Sequence, residues 1–214
     1  MSDFRILDPK ASYTFSKYYE LSFDAADIFA ELDCAFERTS LALPTYAGPI
    51  EFTSELRQRL EMAMKVTSLA SEMARREALI APVMFAVCGY LEQELKIEYR
   101  VEVSNRLNGT LDYFVPSPHN LLVVEAKNAD LSKGFVQLGA ELIALDKWTR
   151  QNTPVLYGAV TTGDSWQFGS YLRAEQKVIQ DIRTYSIPLE LEKLLSILIG
   201  IIGAAGDQEI GAQP

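Results

Sequence analysis

The sequence predicts a mixed α/β fold, an α+β mixed sheet with helices packed on it. Three observations point there: helical periodicity through residues 51–94, three strand signals in succession after it, and a second helical stretch followed by two more strands. Elements patterned in this way bury their apolar faces against one another in layers. The expected order is helix, three-stranded meander, helix, strand, strand, helix. An N-terminal helical and aromatic appendage is expected over residues 1–50, the main domain over 51–207 and a tail over 208–214.

In the appendage, residues 13–20 are rich in aromatics, which suits a lid packed on the main core. The alternative is a surface for stacking nucleobases or docking a partner. Residues 24–38 carry Ile28, Phe29, Leu32 and Phe36 at helical spacing, so a helix is expected there, closed by Pro44 and Gly48-Pro49. Two helices should follow. Leu56, Leu60, Ala63 and Met64 mark the first stripe; Met73, Ala74, Ile80, Val83, Met84 and Val87 mark the second. Pro82 must start or kink a helix, because it lacks an N–H and its ring crowds the preceding turn. Gly89 is the expected stop.

Strands are expected at residues 97–103, 107–115 and 121–126, separated by Asn, Gly and Pro. Helical period returns over 133–149, with Phe135, Leu138, Leu142, Leu145 and Trp148 in the stripe. The continuous apolar run 155–160 suits a central buried strand. Thr162-Gly163-Asp164 reads as a turn, with 166–172 as its hairpin partner and Trp166 in the core. Residues 185–187 suggest a short edge strand. Residues 189–204 form a terminal helix, apolar nearly all round, which serves as buried core or as a homodimer face.

With 214 residues, 48% hydrophobic and 23% charged, the chain can build one packed core. No run approaches the roughly 18 apolar residues that span a bilayer, and Met-Ser-Asp-Phe-Arg lacks the apolar core of a signal peptide. A cytoplasmic protein without membrane contact is expected. Cys34 and Cys88 are too few for a disulfide framework or a cysteine zinc site and read as small core residues. His119 is the only histidine, which excludes any two-histidine centre; a serine–histidine–acid triad would have to use it inside a proline-bracketed turn. The net charge of −9 and pI near 4.7 count against general electrostatic binding of nucleic acid. A local basic cleft, or protein partners that supply DNA affinity, would have to do that work.

The most informative segments are Gly109-Thr110-Leu111-Asp112-Tyr113 and Val124-Glu125-Ala126-Lys127-Asn128. Side chains two apart on a strand share a face, so Glu125 and Lys127 point the same way and Ala126 the other. If the two strands form a hairpin with a symmetric turn at 116–120, Asp112 lies opposite Glu125, and Tyr113 packs on the other face. Two carboxylates this close are costly unless a cation lies between them. Oxygen ligands of this kind suit Mg²⁺ or Mn²⁺.

These residues resemble the PD-(D/E)XK nuclease superfamily, whose fold is restriction-endonuclease-like. Asp112 matches the acid of the second core strand, and Glu125-Ala126-Lys127 the (D/E)-X-K of the third; Leu111-Asp112 stands where the motif nominally has Pro-Asp. Gln137, in the helix after the third strand and with Glu141 one turn beyond, is similar to a glutamine recurring in several branches. Residues 72–82 are similar to the first core helix of the nuclease domain that begins type I restriction motor subunits, where a helix acid supplements the metal site. Glu77 is the candidate for that acid and Glu72 the alternative. The resemblance covers residues 72–204; residues 1–50 are weakly similar to short extensions of bacterial, especially cyanobacterial, members.

The resemblance implies a metal-dependent endonuclease acting on DNA and leaving a 5′-phosphate. Asp112, Glu125 and the backbone carbonyl of Ala126 would hold Mg²⁺ or Mn²⁺, with Glu77 completing the site through water. Lys127 would orient or deprotonate the attacking water, and Gln137 would hydrogen-bond it or a phosphate. Arg76 and Lys133 are candidate phosphate contacts, with Arg75 also near the proposed cleft; Lys147 and Arg150 read more readily as solvated helix side chains. Glu72 is the expected helical partner of Arg76. An RNA-processing nuclease would use the same site. The competing reading is a noncatalytic nuclease-like module acting in protein interaction or DNA recognition.

Overall fold

The computed structural model describes residues 5–8, 10–117, 121–127, 130–149 and 153–203. The chain opens with helices α1 (Phe15–Glu20) and α2 (Ala25–Ala30) and strand β1 (Ala35–Thr39). Helix α3 (Thr53–Val66) follows, then α4 (Glu72–Arg75), a π-helical turn (Arg76–Ile80) and α5 (Ala81–Tyr90). Strands β2 (Lys96–Ser104), β3 (Leu107–Pro116) and β4 (Leu121–Ala126) lead into α6 (Leu131–Trp148). The chain continues with β5 (Val155–Thr161), β6 (Ser165–Leu172), β7 (Lys177–Ser186) and α7 (Leu191–Gly203). His119, Pro118, Asn120, Asn128, Arg150 and the tail 208–214 lie outside the described residues.

All seven strands join one mixed sheet, ordered β1-β7-β6-β5-β4-β3-β2. The pairs β4–β5 and β1–β7 are parallel and the others antiparallel. A parallel β4–β5 pair needs a crossover, and α6 supplies it. One face of the sheet is covered by α3, the π turn, α5 and α7, around Leu60, Val83, Val87, Trp166 and Leu198. The other is covered by α1, α2 and α6, around Phe15, Phe29, Phe135, Leu138 and Leu142. The fold is therefore a mixed α/β sandwich of three layers.

Several elements differ from the sequence expectation for identifiable reasons. The helix expected over residues 24–38 ends at Ala30. Asp33 takes a left-handed φ of 59°, and the Cys34 N–H bonds back to the Phe29 carbonyl, a closure that terminates helices. Residues 35–39 then pair with β7, so the N-terminal segment adds an edge strand to the sheet. β7 is a full strand between β1 and β6, in place of the short edge strand expected at 185–187. The buried Asp181 disguised it: its carboxylate is held by Arg183 and the Leu41 N–H. Trp148 is 41% exposed, its indole N–H donating to the Tyr99 hydroxyl, and Met73 is also exposed. The apolar residues of α7 are buried in the chain's own core. Among the described residues no helix is long and apolar enough to cross a membrane.

Candidate functional site

The hairpin register brings the first acid to the second. Tyr113 pairs with Val124 and Phe114 with Val123, which makes Asp112 and Glu125 the next opposed positions. Paired ladder positions stop there, and the Asp112 side chain takes over: its Oδ2 accepts a 2.9 Å hydrogen bond from the Ala126 N–H. On the other side of β3, Ile97–Tyr113 and Tyr99–Leu111 pair while Glu98 and Asp112 between them do not. Glu98 has a left-handed φ of 54°, an irregularity costing about 1–2 kcal/mol. Burial alternation also breaks at Asp112. Leu111 and Phe114 pack with the α6 side, Tyr113 and Val115 with the opposite side. Asp112 thus sits at a local distortion of the sheet, which frees its carboxylate from the regular pleat.

On β4 the expected face sharing is realised. Lys127 Nζ lies 2.5 Å from Glu125 Oε1, while Ala126 is buried against the other layer. Helix α6 lies over the acid. Its Gln137 Nε2 donates to Glu125 Oε1 at 2.5 Å and to Glu141 Oε1 at 2.9 Å. Space for the lysine comes from Gly134: a Cβ there would stand 2.9 Å from Lys127 Cγ and 2.6 Å from Val160 Cγ2. From α1, the Tyr19 ring covers Lys127 Nζ at 5.2 Å, a cation–π contact.

Arg76 belongs to the cluster differently from expectation. Placed by the π turn, its guanidinium bridges Asp112 Oδ1 at 3.2 Å and Glu98 Oε1 at 2.5 Å, and it lies over the Tyr113 ring. The π turn itself follows from Pro82, which cannot donate to a carbonyl one turn back; the Ala81 N–H bonds to Arg76 O, five residues earlier. Arg76 is therefore engaged with carboxylates rather than with its helical neighbour Glu72 or with solvent. Glu77 is exposed, yet close enough to raise the pKa of Tyr113. Glu72 is half-buried and close enough to raise the pKa of both Asp112 and Lys127. Lys133 is exposed on the first turn of α6, and Arg75 is paired with Asp164 and the Thr162 carbonyl.

Burial dominates the electrostatics. It raises Asp112 against the lowering effects of the Ala126 N–H, Arg76 and Lys127. Glu125, 2% exposed, is pushed up to about 8 by burial and then by Asp112, with Lys127 pulling the other way. Glu141, fully buried, is raised by burial and by Glu125. Burial alone would lower Lys127, but the carboxylates Glu125, Glu141 and Glu72 outweigh it and the net direction is up. Glu141 went unassigned in the sequence although it carried a signal: an acid one turn from Gln137 on a helix face otherwise lined by leucines. Glu98 carried none, since only the sheet distortion brings it to Arg76.

The donor chemistry suits a hard divalent ion. Every potential ligand is an oxygen, and Glu125 Oε2 is buried without a hydrogen-bond donor. Asp112 is the less available acid, since both of its oxygens are engaged. Among the described residues no group of three or more His, Cys, Asp or Glu side chains is arranged to hold a metal ion. No protein-family model matches the chain, and no curated protein matches it. Fold and site together define a mixed α/β protein with a buried acid–lysine–amide cluster where its central sheet meets α6.

Proposed function

We propose that the protein is a Mg²⁺- or Mn²⁺-dependent endonuclease that hydrolyses phosphodiester bonds of DNA, built on a restriction-endonuclease-like core. The observation that carries this reading is the joint placement of Asp112 from β3 with Glu125 and Lys127 from β4, backed by Gln137 from α6. Asp112, Glu125 and the Ala126 carbonyl would hold the ion. When bound, the ion supplies a water of lowered pKa and neutralises charge on the scissile phosphate. The protein's own groups do the positioning. Gln137 and Lys127 both bind Glu125 Oε1, which leaves Oε2 available. The Ala126 N–H and Arg76 fix the Asp112 carboxylate. The Lys127 ammonium donates to the water or to a phosphoryl oxygen as negative charge accumulates there. The test is incubation of supercoiled plasmid and linear single-stranded DNA with purified protein and Mn²⁺. Equal cleavage by wild type and Lys127→Ala would sink the assignment.

A second reading, a noncatalytic nuclease-like module, is favoured by one observation: Arg76 already neutralises Asp112. Calorimetry separates the two. Mn²⁺ binding that weakens in Asp112→Ala supports the enzyme, and absence of binding in the wild type supports the module.

A further inference from the structure

Glu141 is completely buried and lies one helical turn from Gln137 on the face of α6 turned toward β4. A single amide nitrogen, Gln137 Nε2, donates to both Glu125 Oε1 and Glu141 Oε1. That uses its two hydrogens. Three acceptor atoms in this hydrogen-bonded unit remain unmatched: Glu125 Oε2, Gln137 Oε1 and Glu141 Oε2. Their residues are 2%, 3% and 0% exposed. An unmatched buried polar oxygen is costly, and more so when charged. Three on one unit, all acceptors, call for a positive guest: a proton shared between the hydrogen-bonded Glu125 and Glu141 carboxyls, or a cation that displaces it. Lys127 is not that guest, because its ammonium is already placed on the other oxygen of Glu125. A water offers two hydrogens to three acceptors. A hard cation answers all three, and carboxylate and amide oxygens are its preferred ligands.

We propose that Glu125, Gln137 and Glu141 form a divalent-cation subsite on the α6 side of β4, with Glu141 as a ligand supplied by the crossover helix. The subsite shares Glu125 with the proposed catalytic centre, and its role in cleavage rests on the nuclease reading. It does not need Asp112, whose oxygens are taken by Ala126 N–H and Arg76.

The experiment is Mn²⁺ titration of the full chain by calorimetry, with electron paramagnetic resonance of free Mn²⁺ as a second readout. Glu141→Gln keeps the volume and removes the charge; Glu141→Met fills the space with no oxygen ligand. Cooperative thermal unfolding of each variant establishes that it is folded. The expected result is a Kd weakened by about tenfold or more in E141Q and further in E141M. Wild-type affinity in both variants overturns the subsite. Asp112→Asn, titrated in parallel, distinguishes the two failures. Binding lost in D112N but kept in both Glu141 variants removes the subsite and leaves the nuclease reading standing, whereas a wild type that takes up no Mn²⁺ removes both.

Discussion

The ammonium of Lys127 lies 2.5 Å from Glu125 Oε1 with both side chains buried between β4 and α6. Removing one partner of a buried ion pair typically costs about 3–5 kcal/mol, because the other charge is stranded. Here the acid has an exit. Burial and Asp112 push Glu125 up to about 8 even with Lys127 pulling it down, so it already holds a proton at neutral pH and holds it more firmly without the lysine. Lys127→Met is therefore expected to fold, with a stability loss of about 1–3 kcal/mol by denaturant titration. Cleavage should fall about 100- to 1000-fold, the scale of losing one preorganised donor to the transition state. Full activity in a folded K127M protein would remove Lys127 from the chemistry.

The same burial sets the pH dependence of stability. Glu125 has an ordinary value of 4.5 and a folded value near 8, and Asp112 and Glu141 are raised in the same direction. Between those limits the folded state binds more protons than the unfolded state, so stability falls as pH rises. The contribution is fully present below the ordinary carboxylate range and is lost as pH climbs through 8. A tenfold difference in proton affinity between the folded and unfolded chain is worth about 1.4 kcal/mol, which makes the effect measurable by calorimetry. The metal-free protein should have a higher Tm at pH 5 than at pH 8. Saturating Mn²⁺ should raise Tm again at the higher pH, adding about 2.7 kcal/mol of stability at a hundredfold excess over Kd. A Tm that rises steadily from pH 5 to pH 8 without metal would refute the buried, proton-holding cluster.

The hairpin was legible because strand geometry is strict. A two-residue period and a symmetric turn suffice to set Asp112 against Glu125, and the observed pairing of Tyr113 with Val124 follows that register. Helix α6 was legible from its leucine stripe. What the sequence hid depended on contacts between distant segments. β1 looked helical because its apolar residues continue the spacing of α2, and only the left-handed Asp33 breaks the run. Arg76 looked free for phosphate because Glu98, its partner across the layer, reaches it from a distorted strand. The resemblance offered Glu77 ahead of Glu72 as the helix acid, and the π turn beginning at Arg76, which shifts the helix phase between them, was not legible in the sequence.

Gly134 provides a test of how tightly the lysine is positioned. Its missing side chain makes room for the Lys127 stem against Val160, and a Cβ would meet atoms at 2.9 and 2.6 Å. Lys127 can move along its flexible stem, but Val160 is fixed in the central parallel pair. Gly134→Ala should therefore cost about 1–3 kcal/mol despite its better helix propensity. It should also lower kcat more than KM by moving the ammonium. A G134A protein more stable than wild type would show that the close approach of α6 to β4 is looser than the geometry states.

Arg76 stands where an ion would compete for Asp112. Its guanidinium lies 3.2 Å from Asp112 Oδ1 and also binds Glu98. A fixed positive charge at that distance opposes a divalent cation on the same carboxylate, by about 4 kcal/mol at 4 Å for a unit pair near a protein surface before screening. Only part of that survives solvent and rearrangement. Arg76→Ala is therefore expected to bind Mn²⁺ several-fold more tightly and to lose stability, since Glu98 and Asp112 then face each other without a counter-charge. If Arg76 also swings to phosphate when substrate arrives, R76A will bind DNA more weakly while binding metal more tightly. Arg76→Lys keeps the charge without the bidentate fork and should fall between the two. Unchanged Mn²⁺ affinity in R76A would mean that Asp112 takes no part in holding the ion, and the noncatalytic reading would then be the stronger one.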